Sequence, residues 1–68
     1  MTLYEYLQRE ARERALMFHE FAAEIGVSHN TLYQARKRAP SITTYRKIAA
    51  YLDEDVTDLI KLQSYDKL

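Results

Sequence analysis

Over the first fourteen residues the apolar positions recur once per helical turn. Leu3, Leu7 and Ala11 are four apart, with Tyr6 beside them, and Glu5, Arg9, Arg12 and Glu13 fall on the other side. Side chains four apart share a helix face, so the pattern predicts a helix from about Leu3 to Arg14. Thr2 with Glu5 is a capping-box pair for its start. Glu5 and Arg9, and Gln8 and Arg12, sit one turn apart on its wet face. A second stripe, Phe18, Phe21, Ala22 and Ile25, predicts a helix from about Phe18 to Ile25. Gly26 ends it, because glycine can take positive φ without a Cβ clash. Val27 is expected inside, and Ser28 suits the N-cap of a third helix over about 28–37. In that helix Thr31, Leu32 and Ala35 face inward, while His29, Asn30, Tyr33, Gln34 and Lys37 make one continuous polar face.

Ala39-Pro40 breaks the chain, since the residue before proline avoids the helix. Ser41, with Thr43 as its rival, caps a fourth helix with the stripe Tyr45, Ile48, Ala49 and Leu52. Asp53-Glu54-Asp55 interrupts it. Asp55 followed by Asp58 opens a short fifth helix with Val56, Leu59 and Ile60, and the acids suit the positive end of its dipole. Beyond Lys61 the periodicity fades. One glycine and one proline leave little room for loops, so the expected fold is all-α, five helices in one domain over residues 1–61. Residues 62–68 are a C-terminal tail, expected to be a dimer contact or disordered.

Length and charge sharpen this picture. At 68 residues the chain is near the lower limit for a core that folds without metal or disulfides. It has no cysteine, which excludes disulfides and fits a reducing cytosol. No apolar run is long enough to span a bilayer, and MTLYEYLQRE lacks the basic and apolar regions of a signal peptide. The zero net charge conceals an asymmetry: Met1–Ile25 balances to −2, Gly26–Leu52 to +5 with no acid, and Asp53–Leu68 to −3. A central basic segment is a local field where a polyanion can dock, although an ordinary solvated basic face has the same composition.

Candidate chemistry narrows the function by exclusion. No nucleophile–base pairing, glycine-rich phosphate loop or paired-carboxylate arrangement stands out, so an enzyme is not expected. His19 and His29 have no cysteine or carboxylate cluster beside them and predict no metal site. Asp53, Glu54 and Asp55 are too close together for a calcium loop and lack its glycine. No cofactor is expected. Tyr4, Tyr6, Tyr45 and Tyr51 read as core or core-rim residues with their hydroxyls in water.

Two short helices joined by a tight turn at Gly26, the second with a polar outer face, describe a helix-turn-helix. Ala22 lies four before the glycine, where the helices cross, and Leu32 and Ala35 lie six and nine after it. FHEFAAEIGVSHNTLYQARKR followed by PSITTYRKIAAYLDEDVTDL resembles the Cro/C1-type (XRE) helix-turn-helix family of bacterial and phage repressors. The resemblance runs from about Leu3 to Ile60, anchored by Ala22, Gly26, Val27, Ser28, Thr31, Leu32, Pro40, Ser41, Ile48, Ala49, Leu52 and Leu59.

The resemblance implies a lambda-repressor-like domain with a central helix-turn-helix. It implies a sequence-specific transcriptional regulator of double-stranded DNA that reads the major groove with helix 3. Base contacts then fall to His29, Asn30, Tyr33 and Gln34; Asn and Gln can bond bidentately to adenine. Phosphate contacts fall to Ser28 at a helix start and to Arg36, Lys37, Arg38, Arg46 and Lys47. A homodimer on a pseudo-palindromic operator follows, with Leu59, Ile60, Leu62 and Tyr65 as dimer candidates that also read as core and tail. The implied location is the cytoplasm of a bacterial or phage-infected cell.

The chain also departs from the family. Phe18 stands where a glutamine is usual, and Met17 where a Ser or Thr cap is usual, an expected cost of about 1 kcal/mol. Ala11 and Arg36 replace the usual arginine–glutamate bridge, freeing a cation to face DNA. No glycine follows helix 3 in the Arg38-Ala39 region. The alternative is a protein-interaction module on the same fold, an antitoxin or anti-repressor that binds another regulatory protein with weak or no DNA binding. Phe18 and the neutral total favour it; the acid-free stretch from Val27 to Leu52 favours DNA more.

Overall fold

A computed structural model of the chain describes residues 2–62. Five α-helices follow in order: α1 (Leu3–Glu13), α2 (Phe18–Ile25), α3 (His29–Tyr33), α4 (Ile42–Leu52) and α5 (Val56–Ile60). Their starts are written in side-chain oxygens. Thr2 Oγ1 accepts from the Glu5 N–H at 3.1 Å, Ser28 Oγ from Thr31 at 3.1 Å, Ser41 Oγ from Thr44 at 3.3 Å and Asp55 Oδ1 from Thr57 at 3.2 Å. Ser41, not Thr43, caps α4. Helix α2 is the exception. Met17 has no oxygen to offer, but the Met17 N–H donates to Glu20 Oε1 at 2.8 Å, so half of the reciprocal cap survives.

Helices α1, α2 and α4 end alike, in a left-handed residue: Ala15 (φ 57°), Gly26 (φ 97°) and Asp53 (φ 55°). The next N–H then reaches back to a carbonyl inside the helix, Leu16 to Ala11 at 2.9 Å, Val27 to Ala22 at 3.1 Å and Glu54 to Ala49 at 3.0 Å. These six-to-one bonds satisfy carbonyls that a helix end leaves orphaned. Only one of the three turns has glycine. Helix α3 ends differently and sooner than the periodicity predicts, tightening into a 3-10 turn over Gln34–Arg36. With no left-handed residue at its end, its last carbonyls are met by shorter bonds, Lys37 N–H to Gln34 O at 2.9 Å and Arg38 N–H to the same oxygen at 3.1 Å.

The stripes meet in one core: Leu3, Leu7 and Ala11 of α1, Phe21, Ala22 and Ile25 of α2, Leu32 and Ala35, Tyr45, Ile48 and Ala49 of α4, and Leu59 of α5. Helix α2 packs against α1, α3 and α4, while α5 packs on α4. Val27 is only half-buried. Leu59 is 0 % exposed, so it belongs to the chain's own core and not to a dimer surface. Ile60 is 49 % exposed. Leu62 is half-buried against the core, and Tyr65 lies outside the described residues.

Side-chain bonds lock the helices at their rims, and here the sequence reading needs correction. The Tyr6 hydroxyl donates to Glu54 Oε2 at 2.5 Å and the Tyr51 hydroxyl to Glu24 Oε1 at 2.5 Å; Tyr4 Oη accepts from Gln8 Nε2 at 3.0 Å. These three hydroxyls are therefore engaged by protein and not left to water. Burial, then the bond to Glu54, pushes the Tyr6 phenol well above its usual value; at Tyr51 the bond to Glu24 leads. On α1 the ion pair is Glu10–Arg14 at 2.7 Å; Glu5 instead holds the Thr2 N–H at 2.9 Å. Arg14 also lies over the rings of Phe21 and Tyr51, 5.9 and 5.6 Å from their centroids. It thereby joins α1 to α2 and α4.

Candidate nucleic-acid interface

Gly26 and the Ser28 cap set where α3 begins, and Leu32 and Ala35 anchor it inward. His29, Asn30 and Tyr33 are consequently exposed and Gln34 half-buried, with Arg36, Lys37 and Arg38 exposed beyond them. Asn30, Tyr33, Gln34, Lys37 and Arg38 line one groove of about 380 Å³. A second hollow of about 370 Å³ begins at Gln34 and Arg38 and runs past Thr31 and Ala39 to Thr44. Arg38 Nη2 donates to Gln34 Oε1 at 2.9 Å. That bond uses one acceptor site of the amide and leaves its NH2 donors to the groove.

Several predicted contacts have other partners. The Ser28 oxygen caps Thr31 and also shares a 2.7 Å hydrogen bond with the Thr31 hydroxyl. Arg36 is not a released cation. Its guanidinium lies 4.9 Å from the centroid of Tyr33 and 5.6 Å from that of Tyr4, and Nη1 donates to the Tyr33 hydroxyl at 2.6 Å. Lys47 Nζ donates to the Gly26 carbonyl at 3.2 Å, pinning α4 to the turn before α3. Arg46 is exposed on α4, and no contact brings it against α3. Lys37 and Arg46 have no hydrogen-bond or ion-pair partner among the described residues.

Phe18 acquires a role. Its half-buried ring meets Tyr4 edge-on at 5.5 Å, His29 edge-on at 5.9 Å and Phe21 at 6.5 Å. Where the resemblance would place a polar group, an aromatic ring ties α1, α2 and α3 together, and it has no hydrogen to give a phosphate. Tyr4 belongs to the same cluster, 5.9 Å edge-on from Tyr33. Sequence reasoning missed Tyr4 because periodicity marks it as the rim of α1. The available signal was the charge exchange at Arg36, which leaves a cation in need of a new partner.

His19 and His29 lie with ring centroids 6.5 Å apart and nearly perpendicular. Among the described residues no group of three His, Cys, Asp or Glu side chains is placed to hold a metal ion. Among them, too, no helix is long and apolar enough to cross a membrane. Comparison with known proteins finds no matching family model, curated protein or solved structure.

Proposed function

We propose that the chain is a sequence-specific double-stranded DNA-binding transcriptional regulator on a lambda-repressor-like fold, with α2 and α3 as its helix-turn-helix. The observation that carries the reading is the groove on α3. Two amides, Asn30 and Gln34, stand beside an aromatic ring and two cations in a segment without a carboxylate. Amides suit adenine edges in the major groove. Lys37 and Arg38 suit the flanking phosphates, which give affinity rather than sequence information. The protein acts as a homodimer on a pseudo-palindromic operator with recognition helices about 34 Å apart, in the cytoplasm of a bacterial or phage-infected cell. Ile60 is the exposed apolar residue that serves the dimer.

A second reading, a module that binds another regulatory protein, draws on a different observation. Met17, beside Phe18, is 65 % exposed and Ile42 is 49 % exposed, and apolar side chains on a small surface suit a protein partner. Titration against random and in vitro selected duplexes at two salt concentrations separates the two. DNA binding gives affinity that falls steeply with salt, and Lys37→Ala lowers the slope by about 0.9. Gln34→Ala relaxes sequence preference and spares non-specific binding. Absence of salt-dependent binding to any duplex refutes the DNA reading.

A further inference from the structure

Tyr33 is held at one end and open at the other. Its hydroxyl accepts the 2.6 Å bond from Arg36, and the same guanidinium spans Tyr33 and Tyr4. Tyr4 meets the ring edge-on at 5.9 Å, and His29, one turn earlier, lies 5.9 Å away on a tilted plane. The ring is thus fixed by three neighbours while 41 % of the residue remains exposed. What it offers the groove is an apolar wall between the amides of Asn30 and Gln34. An amide that pairs with adenine stands beside the partner thymine, whose C5-methyl projects into the same major groove.

We propose that Tyr33 is a preorganised reader of the pyrimidine C5-methyl group, with Arg36 as its positioning residue and not a phosphate anchor. This rests on the DNA-binding reading above. Arg36 is suited to the task because its planar guanidinium can stack on rings and donate to the hydroxyl at once, which a lysine ammonium cannot. A ring fixed before binding loses little freedom on contact.

The test uses the full chain and a selected duplex in which single thymines are replaced by deoxyuridine, removing only the methyl group. One replacement per half-site should weaken wild-type binding about four-fold, the worth of one buried methyl. The loss should vanish in Tyr33→Ala. Arg36→Gln and Arg36→Lys should both lose the methyl discrimination, and Arg36→Gln should leave the salt slope unchanged. A slope reduced by about 0.9 in Arg36→Gln, with discrimination intact, makes Arg36 a phosphate anchor and overturns the proposal. So does a duplex series in which no deoxyuridine weakens wild-type binding; that arm changes only the DNA, so a variant that fails to fold cannot obscure it. In both cases the DNA reading stands. If no duplex binds at all, both readings fall.

Discussion

Ala15 and Gly26 occupy equivalent places, one after α1 and one after α2, and exchanging their residue types separates backbone strain from packing. Ala15 sits at φ 57°, close to the centre of the left-handed well. An alanine there still costs about 1 kcal/mol relative to its preferred conformations, while glycine would cost the unfolded chain about 0.4–1 kcal/mol of entropy. Ala15→Gly should therefore stabilise by about 0.5 kcal/mol. Gly26 sits at φ 97°, beyond that well, so an alanine there is placed near the upper end of the penalty, about 2 kcal/mol. A Cβ built on Gly26 meets nothing within 4 Å, so no clash adds to it. After the entropic offset, Gly26→Ala should destabilise by about 1–1.5 kcal/mol. In urea, with a slope of about 1 kcal/mol per molar for a small domain, the midpoints should rise by about 0.5 M and fall by about 1 M, at constant slope. The double variant should add the two, since the turns share no side-chain partner. A stabilising Gly26→Ala, or an Ala15→Gly that loses stability, would refute the claim that left-handed backbone is what these positions require.

Phe18→Ala should lose about 1.5–3 kcal/mol, combining partial burial of the ring with its edge-on contacts to Tyr4 and His29; a loss below about 0.5 kcal/mol by urea denaturation would show that the ring does not join the helices. Stability should also decline on the alkaline side because of Tyr6. Below about pH 10 the phenol is protonated in both states, and above it the unfolded chain releases the proton first. The folded phenol is raised by burial and by Glu54, so stability falls as pH climbs from 10 through the folded value. Tyr6→Phe should flatten that part of the pH–stability profile, and an unchanged alkaline limb would count against the Tyr6–Glu54 bond.

The elements were legible because their signals are local. Stripes at Leu3, Leu7 and Ala11 or Tyr45, Ile48 and Ala49, and caps at Thr2, Ser28, Ser41 and Asp55, each depend on residues within one or two turns. The end of α3 was not legible, because periodicity in Tyr33–Lys37 does not distinguish an α-turn from a 3-10 turn. Nor were the turns at Ala15 and Asp53, since residues other than glycine enter the left-handed region only where the surrounding packing holds them there. In the candidate interface, the exposed face from His29 to Lys37 followed from helical spacing. The partners of Arg36, Lys47 and Phe18 did not, because they lie on other helices: Tyr4 on α1, the Gly26 carbonyl at the turn, and the rings on α1 and α3.

Those partners also explain how a neutral chain keeps a basic surface. Of the five cations between Gly26 and Leu52, Arg36 is bonded to a tyrosine hydroxyl, Arg38 to an amide oxygen and Lys47 to a backbone carbonyl. Every one of these acceptors is uncharged. The bonds fix where the charges stand without cancelling them, so the local excess of +5 remains a field that an anion can feel. The opposite arrangement holds on the flanks. Glu10 is spent on Arg14, while Glu24 and Glu54 accept from Tyr51 and Tyr6 at the helix rims. A count of charges along the sequence places these groups in one ledger that sums to nothing. In the fold, the acids with such partners close seams between helices, and the cations of the central segment are held in place by neutral groups. That is why the total charge carries no weight against the DNA reading, and why Lys37, which has no partner among the described residues to share its role, is the cation whose removal should register most directly in the salt dependence.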